Sequence, residues 1–286
     1  MFDHNETLDQ ARARNVRDAL TEDIGTGDWT AMLVPAGRTA SAQVTAKEAA
    51  VLCGAPWFED CVRALDAAAE IEWLRREGDR IEPGQGVCRM RGNARALLSA
   101  ERSALNFLQM LSGVATITRR YVDLIQGVSP NPRGCAVLET RKTLPGLRQA
   151  QKYAVRVGGG TNHRMALWDG ILIKENHIAA AGGIRQALDA ARALRANVGI
   201  QIEVESLAEL AEALDAGAEN VLIDDFSLDD MRRAFDFTAG RAVLEVSGGV
   251  TEATLRDIAA TGVDRISSGR LTKDVHAIDL SMRITG

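Results

Sequence analysis

No CxxC pair and no metal-ligand spacing occurs among the four cysteines, Cys53, Cys61, Cys88 and Cys135. This argues against a disulfide framework or a structural zinc site, and for buried, reduced thiols in a cytoplasmic protein. No apolar run approaches the length of a membrane span. The N-terminal stretch Met1-Phe-Asp-His-Asn-Glu-Thr7 is polar and lacks the apolar core of a secretory signal. Positive charge is not in excess either. The formal net charge is -5, whereas nucleic acids and anionic membranes require a broad basic face. No GxGxxG follows a first strand, which leaves a dinucleotide fold without support. What remains is a cytoplasmic protein of 286 residues, 46% hydrophobic and 26% charged, long enough for two domains.

One stretch departs from the overall acidity. Between Glu139 and His177 the bases are Arg141, Lys142, Arg148, Lys152, Arg156, Arg164 and Lys174, and the acids only Glu139, Asp169 and Glu175. Glycines (Gly158-Gly-Gly160) and short apolar runs (Ile171-Leu-Ile173) are interleaved with the cations. A solvated surface run needs neither. The stretch reads as a site for a small anion, built at strand ends.

Along the chain, helical spacing covers about Leu8 to Leu20, and Thr21–Asp28 reads as a loop. Residues 38–52 favour a strand, Pro56–Ala69 a helix, and 71–92 short strands turning at glycines. The N-terminal third is thus a small α+β unit. Ala94–Gly113 is an amphipathic helix with Leu97, Leu98, Leu105, Leu108 and Leu111 at helical intervals, followed by a second helix over Val114–Gln126. On periodicity alone Glu101 and Arg102 are a solvated pair on that helix. Pro130–Gly134 is the clearest linker signal.

Beyond it short apolar runs recur at 136–138, 170–173, 200–204, 220–223, 242–246 and 264–267. Helical stretches separate the later ones. Ser206, Ser227 and Thr251 stand as helix N-caps, and Gly217, Gly240 and Gly262 at helix C-termini. This alternation predicts parallel βα units forming a TIM-type barrel or a variant of it, with an open doubly wound sheet as the structural alternative.

In a parallel barrel the chemistry sits at the strand C-termini. There the chain carries Glu139–Lys142, Lys174–His177, Glu203–Glu205, Asp224–Asp225, Ser247–Gly249 and Ser268–Gly269. Six polar clusters in succession on one rim indicate an active site. Arg141, Lys142, His163, Arg164 and Lys174 form a cationic set, in which two arginines suit a carboxylate or phosphate held bidentately. Glu203 and Asp224, on neighbouring strands, are placed to share one Mg²⁺, although a salt bridge across the barrel would equally account for them. Ser247-Gly248-Gly249 and Gly269 offer a backbone nest for a terminal phosphate, or simply tight turns. His163 reads as a ligand contact, and His177 as a brace for Glu175 or a backbone carbonyl. His4 and His276 read as surface residues.

These residues resemble the quinolinate phosphoribosyltransferase family, also known as nicotinate-nucleotide pyrophosphorylase (carboxylating), over nearly the whole chain. The motifs are Leu20–Asp28, Glu101-Arg-Ser-Ala-Leu-Asn-Phe107, Thr140-Arg-Lys-Thr143, Pro145-Gly-Leu-Arg148, Gly158-Gly-Gly160, Asn162-His-Arg164, Leu172-Ile-Lys-Glu-Asn-His177, Glu245-Val-Ser-Gly-Gly249 and Leu271-Thr-Lys273. The resemblance implies an α/β protein with an N-terminal α+β sandwich over 1–112, joined by the tail 271–286, and an incomplete (β/α) TIM-like barrel over 113–270. It implies a homodimer with shared active sites. Arg102 would enter the partner's barrel and hold a substrate carboxylate. Arg141, His163, Arg164 and Lys174 would complete the quinolinate pocket, Thr140 would bind substrate beside them, and Lys142 would face the pyrophosphate of phosphoribosyl pyrophosphate. Glu203 and Asp224 would hold Mg²⁺ and the ribose. Ser247, Gly248, Gly249, Ser268, Gly269 and Arg270 would take the 5-phosphate. Lys142, Lys174, Glu203 and Asp224 are the implied catalytic set. Three positions depart from the family pattern: Glu139 for Asp, Asp225 for Asn, and Arg270 for Ala.

The implied reaction transfers phosphoribose to quinolinate with loss of CO₂, giving nicotinate mononucleotide for de novo NAD synthesis. Besides a non-catalytic phosphate-binding protein, which CO₂ release with both substrates would exclude, two other readings fit parts of the chain. One is a molybdenum-transport-associated relative of the same fold, disfavoured by Asn162-His-Arg164 and Lys174-Glu-Asn-His177. The other is a Schiff-base aldolase acting through Lys174.

Overall fold

The structure is a computed structural model that describes residues 5–285. His4 lies outside the described residues. In chain order the elements begin with α1 (Leu8–Ile24), β1 (Thr39–Ala46), β2 (Ala50–Val51), α2 (Ala55–Leu65), β3 (Glu70–Trp73), β4 (Arg80–Ile81), β5 (Gly86–Asn93) and α3 (Ala94–Ile125). They continue with β6 (Ala136–Leu138), α4 (Arg148–Val157), β7 (Gly170–Ile173), α5 (Glu175–Ala181), α6 (Ile184–Ala193), β8 (Gly199–Val204), α7 (Leu207–Asp215) and β9 (Asn220–Asp224). The last are α8 (Leu228–Thr238), β10 (Val243–Ser247), α9 (Glu252–Ala259), β11 (Arg265–Ser267), α10 (Arg270–Lys273) and β12 (Leu280–Ile284). Among the described residues no helix is long and apolar enough to cross a membrane.

Two compact units result. The first takes the described residues up to Arg119, with Thr143–Gly159 and those from Thr272 onward. The second takes Arg120–Lys142 and Gly160–Leu271.

In the first unit a sheet of order β12-β1-β5-β3 is antiparallel throughout. Its central strand β1 alternates, with Ala40, Ala42, Val44 and Ala46 buried, the pattern of a sheet with one face on a core. Trp57, Phe58, Leu97, Leu105, Leu108 and Leu111 are fully buried in that core. Two expectations change here. α1 runs on to Ile24 and absorbs Thr21, whose hydroxyl donates to the Arg17 carbonyl. It stops where Gly25 takes φ 51°. The two helices expected over 94–126 are one helix of 32 residues. Gly113 is not a break. A Cβ there would collide with the carbonyl oxygen of His276, so the glycine serves close backbone approach within a continuous helix. α2 is also shorter than expected, ending at Leu65.

The second unit holds six strands in the order β6-β11-β10-β9-β8-β7, every neighbouring pair parallel. From β7 to β11 consecutive strands are neighbours, and the first strand, β6, lies beside the last, β11. That cyclic order belongs to a barrel and not to a doubly wound sheet, which reverses at a switch point. The seam between β6 and β7 is not hydrogen-bonded; instead Thr161 forms an isolated parallel bridge with Leu138. The barrel is incomplete. Ser206 and Ser227 cap α7 and α8 by accepting the N–H groups of Glu209 and Asp230, and Thr251 pairs with Thr254 in a capping box. Pro130–Gly134 is not an open linker. Asn131 is buried there, donating to Gly262 O at 2.9 Å and to Asp264 Oδ1 at 2.8 Å.

Candidate active site at the strand C-termini

Because the six strands are parallel, their C-termini share one end, and each predicted cluster follows from its strand. After β6, Thr140 Oγ1 accepts the Lys142 N–H at 3.1 Å. Gly269, which follows β11, packs against this turn. A Cβ there would lie 2.9 Å from Lys142 Cδ and 3.3 Å from Thr140 Oγ1. Ser268 donates its N–H to Leu138 O at 2.9 Å, and its hydroxyl stands 3.4 Å from the Arg270 N–H where α10 begins.

After β7, Lys174 Nζ reaches across to Glu203 on β8, 3.1 Å from Oε1 and 2.8 Å from Oε2. The ammonium is half-exposed and the carboxylate 9% exposed. His177 braces neither Glu175 nor a carbonyl. Its Nδ1 accepts the Lys174 N–H at 3.0 Å, closing the first turn of α5.

Asp224 and Ser247 are direct neighbours across β9 and β10. Glu203 pairs with Leu222, so Asp224 sits two residues further along, roughly 6.6 Å beyond Glu203 in the strand direction. A Cβ on Gly248 would stand 2.7 Å from Asp224 Oδ1, so a side chain there would displace that carboxylate. Gly248 and Gly249 have φ of 83° and 58°, the left-handed conformation a side chain resists. Asp225 also has positive φ, 56°. Asp and Asn are the side chains that tolerate it best.

His163 and Arg164 lie on the loop that follows the Thr161 bridge. The ring of His163 reaches inward to Gln201 Oε1 at 3.1 Å and Glu245 Oε1 at 3.4 Å, while its Nδ1 accepts the Arg164 N–H at 2.7 Å. Glu139, fully buried, accepts the His163 N–H at 3.2 Å and the Asn162 amide at 3.4 Å. Arg164 Nη1 donates to Gly170 O at 2.9 Å. Burial, and next the charge of Arg141, weaken its hold on its proton, partly offset by Asp169. The carboxylate of Asp169 shapes the intervening turn by accepting the N–H groups of Met165 and Ala166. A cavity of about 300 Å³ below the rim is lined by His163, Arg164, Gln201, Glu245 and Arg265 among others. Arg141 Nε is buried without a hydrogen-bond partner among the described residues, an unmet donor that suits an anionic ligand.

Among the described residues, contacts join Lys174 with Glu203, Thr140 and Lys142 with Gly269, Asp224 with Gly248, and His163 with Arg164. They do not join Glu203 with Asp224, and no cluster of three or more metal-ligating side chains occurs among the described residues. Arg102 lies in the first unit, exposed on α3 beside a shallow pocket with Glu22, Asp23 and Asn106. Sequence reasoning overlooked Gln201 and Glu245 as site residues. A signal was present: each precedes a named rim residue, Glu203 or Ser247, by two positions and so shares its face of the strand.

A parallel barrel with one open seam, carrying cations, carboxylates and glycine turns at its strand C-termini, defines a class of barrel enzymes for anionic substrates. The comparisons with known proteins specify which. Residues 27–112 match the quinolinate phosphoribosyl transferase N-terminal domain and residues 114–283 its C-terminal domain. Over 265 residues the chain is 40% identical to a probable nicotinate-nucleotide pyrophosphorylase (carboxylating) of Bacillus subtilis, covering 92% of this chain and 90% of that one. A chloroplastic nicotinate-nucleotide pyrophosphorylase (carboxylating) of Arabidopsis thaliana is 37% identical, covering 94% and 81%. The solved nicotinate-nucleotide pyrophosphorylase of Francisella tularensis superposes with a TM-score of 0.92 at 42% identity, covering 98% of each chain. The chain belongs to the quinolinate phosphoribosyltransferase family.

Proposed function

We propose that this chain transfers the phosphoribosyl group of phosphoribosyl pyrophosphate to quinolinate and releases CO₂ and pyrophosphate, giving nicotinate mononucleotide for NAD synthesis. The observation that carries the reading is the convergence, at one end of one parallel sheet, of Lys142 against Gly269, Lys174 on Glu203, and Asp224 against Gly248. Quinolinate is a dianion and its co-substrate is more strongly charged, so fixed cations offset their repulsion and hold them in register. Arg141, Arg164 and Lys174 would hold the two carboxylates. Lys142 would face the departing pyrophosphate, and the turns at Ser247–Gly249 and Ser268–Arg270 the 5-phosphate. As the C–O bond to pyrophosphate lengthens, positive charge grows on the ribose carbon, where Glu203 and Asp224 are suited to offset it. The pyridine nitrogen then bonds that carbon. The ring becomes cationic, and the electron pair left by departing CO₂ is stabilised at C2 beside the positive nitrogen until a proton replaces it.

Mg²⁺ fits this donor set on its chemistry. It takes one or two carboxylates and fills its remaining positions with water and substrate phosphate oxygens. Asp224 is the available protein ligand, with Glu203 already engaged by Lys174. The ion would supply charge neutralisation of the leaving group. The same ion pair counts against a Schiff-base aldolase, because it engages the Nζ that such chemistry needs as a free amine. Homodimerisation, with Arg102 entering the partner's site, and a cytoplasmic location belong to the same proposal. The first is supported by the exposure of Arg102 and the second by the absence of disulfides among the described cysteines.

The deciding assay supplies quinolinate, phosphoribosyl pyrophosphate and Mg²⁺, and follows labelled CO₂ and mononucleotide together. Equal yields of both are expected. Neither product forming, with pure folded protein, would overturn the proposal.

A further inference from the structure

We infer that Glu245 and Gln201 are positioning residues, acting through His163 to fix the backbone of Arg164. The inference rests on the reading above, in which Arg164 holds a carboxylate of quinolinate.

The contacts have a direction. Glu245, 1% exposed, can only accept when ionised. Its Oε2 takes a hydrogen bond from Gln201 Nε2 at 3.0 Å. That sets the amide with its oxygen toward His163, whose Nε2 lies 3.1 Å away and also 3.4 Å from Glu245 Oε1. The Gln201 oxygen is the acceptor this nitrogen engages, and Glu245 Oε1 stands nearby without a hydrogen bond of its own, so Nε2 carries the proton. Nδ1 is therefore the bare nitrogen, and the Arg164 N–H donates to it over 2.7 Å. The opposite tautomer would set N–H against N–H at Arg164 and leave the Gln201 oxygen facing a lone pair. A carboxylate on β10 thus dictates an amide on β8, the amide an imidazole, and the imidazole the backbone that carries the Arg164 guanidinium. Both ring nitrogens are used in this, so His163 serves as the middle link and not as a donor to substrate.

Three neighbours complete the arrangement. Glu139 holds the His163 N–H, Gly170 O holds Arg164 Nη1, and Asp169 holds the turn that follows. Within the hydrogen-bond chain, Glu245 is the side chain that sets the direction on the Gln201 side of the ring. The chain is fixed at both ends, since an ionised Glu245 can only accept and the Arg164 backbone N–H can only donate, while the amide and the imidazole between them could each reverse.

Glu245→Gln tests this, because glutamine has the same shape and can donate. The chain contains four histidines, so the imidazole ¹⁵N signals of His163 are assignable by their loss in His163→Asn. Wild type should show Nε2 protonated and Nδ1 bare. Glu245→Gln should show the Nδ1–H tautomer appearing, with kcat/KM for quinolinate lower by on the order of tenfold to a hundredfold, as misplacement of a binding group produces. An unchanged tautomer, or a changed tautomer with undiminished kcat/KM, would overturn the inference. A second pair of variants separates the ring nitrogens. His163→Asn keeps an acceptor near Nδ1, while His163→Gln places its amide near Nε2. Asn should retain the greater activity, and Gln matching it would equally sink the idea. Should wild type fail to turn over quinolinate, the proposed function falls by itself. The tautomer of Glu245→Gln still decides the hydrogen-bond chain.

Discussion

Lys174 Nζ lies within 3.1 Å of both carboxylate oxygens of Glu203, a bridge between the C-terminal ends of adjacent strands β7 and β8. The ammonium is a fixed charge with its counter-ion already in place. Glu203→Gln should free it, leaving kcat/KM for quinolinate less affected than Lys174→Ala does. Lys174→Ala strips the pocket of a cation and leaves Glu203 buried and unpaired, and should cost on the order of 3–5 kcal/mol of transition-state stabilisation. Steady-state kinetics of the two variants check the order; equal losses would mean the pair acts only as a unit.

Asp224 should separate the two substrates. It stands level with Ser247 and against Gly248, two residues beyond Glu203 along the sheet. Asp224→Asn should weaken use of Mg-phosphoribosyl pyrophosphate more than binding of quinolinate alone. Titrating each ligand separately reads this out. Equal weakening of both would make Asp224 a structural residue.

Arg102 tests the shared site. Arg102→Ala and Lys174→Ala, each expected to be inactive alone, are mixed under conditions that allow subunit exchange. If sites are completed in trans, each mixed dimer carries one site with both lesions and one with neither. Random exchange makes about half of the dimers mixed, so activity should recover toward about a quarter of wild type. No recovery with exchange independently verified would place Arg102 outside the partner's site.

Gly113 should resist the substitution that helix propensity favours. Alanine is the better helix former by about 1 kcal/mol, yet its Cβ would meet the His276 carbonyl. Gly113→Ala should therefore lower stability by about 1–3 kcal/mol, as overpacking of a core does, read from the midpoint of denaturant unfolding. A stabilised variant would show that the residues around His276 yield easily.

The period of the apolar runs after residue 135 was enough to establish parallel βα units, because each strand buries itself against helices on its own pattern. It also put Lys174, Glu203, Asp224 and Ser247 at strand ends, since the last residue of a parallel strand is set by where its apolar run stops. Composition pointed to an anion site through the excess of cations between Glu139 and His177. The family motifs named the reaction class. Three things were decided only in the tertiary structure. The continuity of α3 through Gly113 depends on a backbone 163 residues away in sequence, at His276, which no local signal encodes. The stagger of Asp224 beyond Glu203 is a matter of register between β8 and β9, and apolar patterning fixes a strand's face without fixing such an offset. The state of His163 follows from Gln201 and Glu245 on strands that flank β9. A titratable ring takes its proton arrangement from whatever the fold brings against it.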